Sequence, residues 1–404
     1  MGGLIGRDAA LERVASLRRE FTETAAELDR TGTFPTLNLK RLYDEGLSEI
    51  LVPKFLGGSA SDSGTTADLD ILSEIITEIG AGESSTAQIW GVHTVVSRLI
   101  FSNLLDVPRD VKEKLAYEVL NEGARFSNSS AEGGKRRRAF ETSAVRRGDA
   151  FVVNGVKLFN TGSEGAKYTI APVISDDIDG GGLVYVLIPM SASGVISHND
   201  WDNMGQRGTA SGTLTFNDVI VPECFHFSIN GGPEAFSGPS SIFGLFFQTA
   251  INASILGIGF GAFESMCEHV RQWARPNLST IDRAVEDPLN QWHAGRLSSQ
   301  LAGARALQRE ASLQIWDVER ASGRRPDASV QMMRAKFAIN EAVLEACGQL
   351  HRLAGGRATS NKYRLDRFWR NARTLTVHDS IDVKLQQIGA FELEGTHPVP
   401  SMIS

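Results

Sequence analysis

The chain has 404 residues, of which 42% are hydrophobic, and it carries a formal net charge of -7 at pH 7. This length and composition suit a globular protein with a sizeable core and exclude a largely disordered chain. The acidic balance argues against a partner that is nucleic acid or an anionic membrane surface, because both need a basic face, so we expect a small-molecule partner.

Cysteine usage and the first residues predict a cytoplasmic protein. Cys224, Cys267 and Cys347 are odd in number and far apart, without metal-site spacing, and we expect all three to be buried packing residues in a reducing compartment. The segment MGGLIGRDAALERV lacks the order of a signal peptide, and no apolar run approaches the ~18 residues of a membrane span. The histidines form no metal-ligand pair, so we predict no metal site.

The hydrophobic period divides the chain into three parts. From Arg7 to about Leu120 it is helical, as in LDILSEIITEIGAG. From about Ala124 to Pro222 it changes to two, as in FVVNGVKLFNTGS and SGTLTFNDVIVP, which predicts an antiparallel sheet or barrel. From about Ser241 long helical patterns return, and one of them carries an apolar stripe as wide as a helix bundle requires. The stripe consists of Met333, Phe337, Leu344 and Cys347.

This order predicts a mixed α and β fold with three domains. They are an N-terminal helical domain (1–122), a central β domain (123–232), and a C-terminal helix bundle with a catalytic tail (233–404). Strands and helices do not alternate, which excludes a doubly wound parallel sheet. The glycines of GIGFGAFESM, beginning at Gly257, therefore predict close helix packing rather than a dinucleotide-binding turn.

Short polar side chains gather in three segments of the β region. FSNSSAE (126–132) and FNTGSEG (159–165) are explained by turn chemistry if residue type alone is considered. Both also offer hydroxyl and amide groups beside backbone N–H groups, which suit the edge of a polar heterocycle. DWDNMGQRGTASG (200–212) adds Trp201, a flat surface for stacking. Together the three segments predict a ring-binding face.

Two histidines are candidates for chemistry. His93 lies in WGVHTVV, an apolar helical segment, where a satisfied core histidine is the commoner occupant. His378 follows DRFWRNARTLTV and precedes Asp379, so its neighbours are charged as well as apolar. His378 is the stronger catalytic candidate.

The domain order and the motifs FSNSSAE, FNTGS, DWDNMGQRGTASG and GGRATSNKYRLDRFWRNARTLTVHDS resemble the acyl-CoA dehydrogenase superfamily over nearly the whole chain. Within it the chain is most similar to the two-component flavin monooxygenases typified by dibenzothiophene monooxygenase. The resemblance implies a central antiparallel β-barrel, a C-terminal four-helix bundle and a homotetramer. It also implies reduced FMN (FMNH2) as cofactor, supplied by a separate flavin reductase, with FAD as the other flavin that would fit.

The VHDS sequence decides between two activities of this superfamily. In the dehydrogenases the matching motif carries a tyrosine and a glutamate, which is frequently the catalytic base, whereas here His378 and Asp379 stand at those positions. Aspartate is one methylene shorter and so is poorly placed to take a substrate proton within ~3 Å, which disfavours the alternative, an FAD-dependent acyl-CoA dehydrogenase. In the monooxygenases a histidine at position 378 stabilises or protonates a flavin C4a-hydroperoxide as oxygen is transferred, and Asp379 or an arginine would tune it.

The resemblance also assigns residues to the cofactor. Asn128, Ser129 and Thr161 match positions that line the isoalloxazine ring, and Trp201 matches an aromatic residue at the flavin. Two arginines match positions that in tetrameric relatives reach the flavin phosphate from a neighbouring subunit, a suitable use of a guanidinium fork. These are Arg275 and Arg357. The arginines of DRFWRNAR are then expected to tie the terminal segment to the bundle or to a neighbouring subunit.

One departure from the resemblance concerns the substrate. Gln88 and Val92 stand where dibenzothiophene monooxygenase has a histidine and a tyrosine, and His93 follows one step later. We expect these three residues to line a pocket for a different small organic molecule, which is oxidised with O2 at sulfur, nitrogen or aromatic carbon. A catalytically silent scaffold is a further alternative; the retained polar residues count against it, and absence of flavin binding would favour it.

Overall fold

The structure of the protein, a computed structural model, describes residues 6–60, 69–133, 140–177, 182–232, 242–319 and 323–398. Helices occupy the first part of the chain, strands the middle and long helices the last part, as the hydrophobic periods predict. The element type changes between Glu122 and Phe126 and again between Phe227 and Phe243. The predicted domain boundaries at 122/123 and 232/233 fall in these two intervals and remain predictions.

The N-terminal part contains five described helices whose ends have identifiable causes. Gly32 and Gly123 end two of them in the left-handed conformation that glycine adopts without strain. The Glu83 carboxylate caps another by accepting from the backbone N–H groups of Ser85 and Thr86. The helices are α1 (Arg7–Thr31), α2 (Thr36–Asp44), α3 (Leu69–Gly82), α4 (Ser84–Phe101) and α5 (Arg109–Glu122).

Eight strands form one sheet in the middle of the chain. They are β1 (Phe126–Asn128), β2 (Ser143–Arg147), β3 (Ala150–Lys157), β4 (Tyr168–Ser175), β5 (Gly182–Pro189), β6 (Val195–Ser197), β7 (Leu214–Pro222) and β8 (His226–Phe227). The order along the sheet is β6-β7-β3-β2-β4-β5-β8, and β1 pairs with β4 beside this path.

The sheet is antiparallel at most of its pairings, as predicted, and departs from that pattern at β4. The first half of β4 pairs in parallel with β1, and its last two residues pair in parallel with β2. Alternating hydrophobicity indicates strands but not which distant strands pair, so these two pairings were not predictable from it. The described pairings follow an open order from β6 to β8, and closure into a barrel remains a prediction.

The last part is a bundle of three long helices with two shorter ones packed on it. α6, α7 and α8 pack on one another, and α10 packs on α8, so the fourth helix of the expected bundle is much shorter than the other three. The helices are α6 (Phe243–Gln272), α7 (Pro288–Glu319), α8 (Arg325–Ala354), α9 (Asp366–Thr376) and α10 (Ile381–Glu394). Single 3-10 turns occur at Glu49–Leu51, Lys54–Leu56, Ser163–Gly165, Arg207–Thr209, Glu223–Phe225, Ala284–Glu286 and Gly356–Thr359.

α6 packs unusually closely on α3 through small residues. A Cβ added at Gly257 would overlap the carbonyl oxygen of Thr77, and one added at Gly261 would overlap that of Ala81. The interpretation of GIGFGAFESM as a helix-packing motif is therefore confirmed. α6 is also the one helix in the described ranges that is long and apolar enough to cross a membrane by length and composition, and 89% of its apolar window is buried within the protein.

Two sequence-based expectations about burial are confirmed only in part. Of the three cysteines, Cys347 is buried, Cys267 is partly exposed and Cys224 is exposed. Of the predicted stripe on α8, Met333 and Cys347 are buried, Leu344 is partly buried and Phe337 is 38% exposed. Lys336, next to Phe337, is 1% exposed, so a paired lysine occupies a core position that periodicity assigns only to apolar residues.

Candidate active site

A narrow pocket lies between α4 and α6, and its side chains pack too closely in this structure to leave room for a water molecule. Its lining is apolar except for Gln88 and Ser254, and the Ser254 hydroxyl already donates to the Ala250 carbonyl at 2.9 Å. Apolar walls with few polar groups are the usual form of a small-molecule site. The lining residues are Gln88, Gly91, Val92, Val95, Phe247, Ala250, Ile251 and Ser254.

Gln88 begins a hydrogen-bond chain that runs from this pocket to the central sheet. Its Nε2 donates to Thr161 Oγ1 at 3.3 Å, and the Thr161 and Ser211 hydroxyls are 2.9 Å apart. Ser211 is bonded to the Thr209 hydroxyl at 2.7 Å, which donates to the Gln206 carbonyl at 2.8 Å. Gln88 Oε1 is buried and has no partner among the described residues, so it can accept a hydrogen bond from a bound molecule.

Trp201 lies at the far end of the same chain. Its indole Nε1 donates to the Gln206 carbonyl at 2.8 Å, and its ring meets Phe159 edge-on with 6.3 Å between centroids. Phe159 is 62% exposed and has a left-handed backbone conformation, with φ of 56°, which is uncommon for a bulky residue and typical of functional turns. The structure therefore brings Thr161, Trp201 and Gln88 together around exposed aromatic surface.

Asn128 and Ser129 lie at the end of β1 with different surroundings. Asn128 is partly exposed, and its Oδ1 accepts from the Ser130 hydroxyl at 2.8 Å. Ser129 is fully buried, and its hydroxyl is bonded to the Thr169 hydroxyl at 2.6 Å on the neighbouring strand β4. Asn128 therefore offers polar groups near the surface, whereas the Ser129 side chain stabilises the β1–β4 pairing.

His378 lies in the turn between α9 and α10 and is exposed. Its backbone N–H donates to the Leu375 carbonyl at 3.1 Å, which closes the end of α9. Its ring lies 5.5 Å from the ring of Phe247, centroid to centroid, and Phe247 lines the pocket. The C-terminal histidine and the helical pocket are thus joined through one aromatic side chain on α6.

Asp379 is buried beneath the same turn. Its carboxylate forms ion pairs with Lys336 on α8 at 2.5 Å and Lys384 on α10 at 2.9 Å, and accepts from Gln248 Nε2 at 3.0 Å. Burial would raise the pKa of this carboxyl, but the two ammonium groups outweigh burial and lower the pKa to about 2. Asp379 is therefore ionised and a weak base at neutral pH, and its described partners are two lysines and Gln248.

His93 does not line the pocket, contrary to the sequence-based expectation. Its Nδ1 accepts from the backbone N–H of Phe126 at 3.2 Å, and the two rings lie 5.4 Å apart. Burial lowers the pKa of His93 to about 3, and Arg125 adds to the effect, so the ring is neutral. On a helix, residue 93 faces away from the side shared by residues 88, 91, 92 and 95, and that side is the one that meets α6.

The two arginines predicted to reach a phosphate lie on the exposed surface of the bundle. Arg357, in the turn after α8, places its guanidinium 4.6 Å from the ring centre of Trp273, just after α6. Arg275 follows two residues later and is exposed. Both arginines are exposed in the same region, where they could reach the phosphate of a flavin bound to a neighbouring subunit. That role remains a prediction.

The arginines of α9 connect this helix to the two other parts of the protein. Arg370 pairs with Asp29 of α1 at 2.6 Å and donates to the Met204 carbonyl at 2.7 Å. Arg367 is buried and donates to the Arg364 carbonyl at 3.0 Å. They thus have the scaffold role that was predicted, although the described partners of Arg370 outside α9 belong to α1 and the loop before β7 rather than to the bundle.

Sequence reasoning missed four residues of this site: Phe247, Gln248, Lys336 and Lys384. A usable signal existed for Gln248, since an amide inside the apolar run FGLFFQTAINAS is costly to bury unless it is bonded. Lysines at 336 and 384 give no such signal, because lysine on a helix is ordinarily solvated.

Comparisons with known proteins follow the same division of the chain. The acyl-CoA dehydrogenase middle domain matches residues 126–219, and the acyl-CoA dehydrogenase C-terminal domain matches residues 249–383. Dibenzothiophene monooxygenase of Mycolicibacterium goodii is 31% identical over 406 residues, which cover 98% of this chain and 96% of the relative. A probable FMNH2-dependent monooxygenase, SfnC, of Pseudomonas putida is 29% identical over 403 residues, covering 98% and 97%.

A solved structure agrees with the fold over the whole chain. FMN-bound TdsC from Paenibacillus sp. A11-2 superposes with a TM-score of 0.88 and 28% sequence identity, covering 98% of this chain and 100% of that one.

Proposed function

The chain belongs to the acyl-CoA dehydrogenase family, and from this membership and its site we propose that it is a flavin-dependent monooxygenase that uses reduced FMN. Two relatives that cover 98% of this chain are a dibenzothiophene monooxygenase and a probable FMNH2-dependent monooxygenase. We extend the proposal to a separate flavin reductase as the source of reduced FMN and to a homotetramer.

The residues present fit FMN. The Thr161 hydroxyl and the partly exposed Asn128 match the hydrogen-bonding edge of an isoalloxazine ring. Trp201 and Phe159 offer aromatic surface beside them. When bound, reduced FMN would activate O2 and supply the oxygen atom. Arg275 and Arg357 would hold the phosphate of a flavin bound to an adjacent subunit.

The observation that carries the proposal is the placement of His378 against the pocket wall while the neighbouring carboxylate is unavailable. An exposed imidazole can hold a proton on a ring nitrogen and deliver it to a departing oxygen near neutral pH. Asp379 cannot replace it as base, because both of its oxygens contact buried lysines and its pKa is about 2. We assign His378 to proton transfer and Asp379 to support of the turn.

The pocket lining suits a small organic substrate of largely apolar character. Val92, Val95 and Ile251 would contact an aliphatic or single-ring body, and Gln88 would orient it through the amide. Because the pocket is closed in this structure, α4 and α6 side chains would have to move apart to admit the substrate. The oxidised atom is sulfur, nitrogen or aromatic carbon.

Reduced FMN and oxygen provide the direct test. When the purified protein in excess is mixed with reduced FMN and then with O2, the oxidised-flavin absorbance should appear more slowly than in protein-free solution. His378→Ala should bind reduced FMN as tightly as the wild type, because the imidazole is assigned to the activated oxygen and not to the flavin. It should nevertheless release hydrogen peroxide faster by about tenfold or more, because the imidazole no longer hydrogen-bonds and stabilises that oxygen before transfer.

Two outcomes would contradict the proposal. Failure of the wild type to bind reduced FMN would remove the monooxygenase function and favour a silent scaffold. Bleaching of a bound FAD by an added acyl-CoA would instead establish the dehydrogenase alternative, which the ion-paired Asp379 disfavours. Peroxide release at the same rate from His378→Ala and the wild type would remove His378 from proton transfer.

A further inference from the structure

We propose that Lys336 and Lys384 are positioning residues for the reaction: by holding Asp379 from two helices they fix the turn that presents His378 to the pocket. The proposal rests on the proposed monooxygenase function. It assigns a role in oxygen chemistry to two buried lysines that do not line the pocket.

The carboxylate of Asp379 is held on both oxygens by three helices. Lys336 of α8 contacts Oδ1 at 2.5 Å, and Lys384 of α10 contacts Oδ2 at 2.9 Å. Gln248 of α6 donates from Nε2 to Oδ2 at 3.0 Å and accepts from Lys336 Nζ at 2.8 Å. The turn is thus tied to α6, α8 and α10 at once, which leaves Asp379 little freedom to move.

Burial makes this arrangement costly as a means of stability alone. The side chains of Lys336, Lys384 and Asp379 are 1%, 6% and 4% exposed. Replacement of a buried ion pair by packed apolar residues is often neutral or stabilising, so a buried ionic cluster is weak evidence for a stability role. Here two ammonium groups share one carboxylate, which adds to the desolvation cost and calls for a function of the cluster.

The position of α6 explains how the cluster acts on His378. Two consecutive residues of α6 meet two consecutive residues of the turn: Phe247 packs on the His378 ring at 5.5 Å, and Gln248 bonds to Asp379. A shift of Asp379 therefore moves His378 along the ring of Phe247, which is itself part of the pocket wall. Small displacements of a catalytic group are enough to reduce its contribution strongly.

The test is a double-mutant cycle read with reduced FMN and O2 as the only added molecules. Lys336→Met should leave FMN affinity unchanged and accelerate hydrogen peroxide release by about tenfold, as His378→Ala does. In a His378→Ala background Lys336→Met should add no further acceleration, because the residue through which it acts is gone. Lys336→Arg keeps the positive charge, so it should release hydrogen peroxide at a rate close to that of the wild type.

Lys384→Met provides the same test if Lys336→Met does not fold, since it leaves a neutral Lys336–Asp379 pair. Lys54→Met, at an exposed lysine far along the chain, is the matched control and should behave as wild type. The positioning role is wrong if Lys336→Met or Lys384→Met accelerates hydrogen peroxide release equally in the wild-type and His378→Ala backgrounds. It is also wrong if neither substitution accelerates peroxide release in the wild-type background. A wild type that does not bind reduced FMN defeats the proposed function instead, so the two failures are distinguishable.

Discussion

At the residue scale, His378 and Asp379 are neighbours with opposite environments. One is an exposed imidazole beside Phe247, and the other is a buried carboxylate between two ammonium groups. A dehydrogenase base at position 379 would need freedom to approach a substrate and a pKa suited to accept a proton. The structure removes both properties from Asp379, and the chemistry is left to the histidine.

The Asp379 cluster predicts an acid-sensitive component of stability. Folding lowers the pKa of this carboxyl from its ordinary 3.8 to about 2, so its contribution is complete above about pH 4 and is lost as the pH falls toward 2. The shift corresponds to about 2 kcal/mol of unfolding free energy. Denaturant unfolding should therefore show that the difference in unfolding free energy between wild type and Asp379→Asn decreases by that amount as the pH falls from about 4 to 2. A gap that stays constant would mean that Asp379 is not ionised in the folded protein.

The sequence was a good guide to residues whose chemistry is visible in a motif. The polar segments around Thr161 and Trp201 were predicted to form a ring-binding face and Gln88 to line the substrate pocket, and a single hydrogen-bond chain joins the three. The sequence was a poor guide to His93, because its surroundings depend on which side of α4 meets β1. The two lysines were missed because their burial depends on how α8 and α10 pack around Asp379, which periodicity does not show.

At the element scale, α9 acts as a junction between the three parts of the protein. Asn371 donates to the Ser84 hydroxyl at the start of α4 at 2.7 Å and accepts from the backbone N–H of Gln206 at 2.7 Å. Arg370 adds contacts to α1 and to Met204. The turn that carries His378 follows directly, so the placement of α9 sets the placement of the histidine.

The contact between α9 and the loop at Gly205 predicts a sensitive position. A Cβ at Gly205 would overlap the backbone carbonyl of Arg370, which cannot move without the helix. Gly205→Ala should lower the unfolding free energy by about 1–3 kcal/mol, because α9 must shift to make room for the added Cβ. The same shift would move His378, so oxidised-flavin absorbance should appear sooner after O2 is added than with the wild type. Gly389→Ala in α10, where an added Cβ meets nothing within 4 Å, is the control and should be neutral or slightly stabilising. Equal stability of the two variants in denaturant would show that α9 yields without cost.

Helices and strands were predictable because the hydrophobic period is helical in the first and last parts of the chain and two residues in the middle part. The folded protein buries residues at the same periods. The pairing of β4 with both β1 and β2 was not, because register between distant strands is decided by packing in the assembled sheet. On α8 the predicted stripe was right for Met333 and Cys347 and wrong for Phe337. Periodicity could not predict that Lys336, which pairs with Asp379, would be buried beside them.

At the scale of the whole molecule, the proposed homotetramer would use the exposed Arg275 and Arg357 to complete the flavin site of a neighbouring subunit. If Arg357 binds the FMN phosphate of a neighbouring subunit, Arg357→Ala should weaken FMN binding by about 10–100-fold, the range expected for loss of a charge-assisted hydrogen bond. Affinity for riboflavin, which lacks the phosphate, should be unchanged. Titrations of both flavins, with subunit assembly followed by ultracentrifugation, would check this, and equal losses for the two flavins would contradict it.

The contact at Asp29 has a consequence for how this family can diverge. One nearly buried carboxylate on α1 serves both Arg364 and Arg370, which lie 335 and 341 positions away. Loss of the Asp29 carboxylate would leave Arg364 without its described counter-charge and Arg370 with Asp366 alone, whereas loss of one arginine leaves a matched pair. Substitutions should therefore accumulate in a fixed order, an arginine first and the aspartate only afterwards, and sequences that lack Asp29 should lack at least one of these arginines.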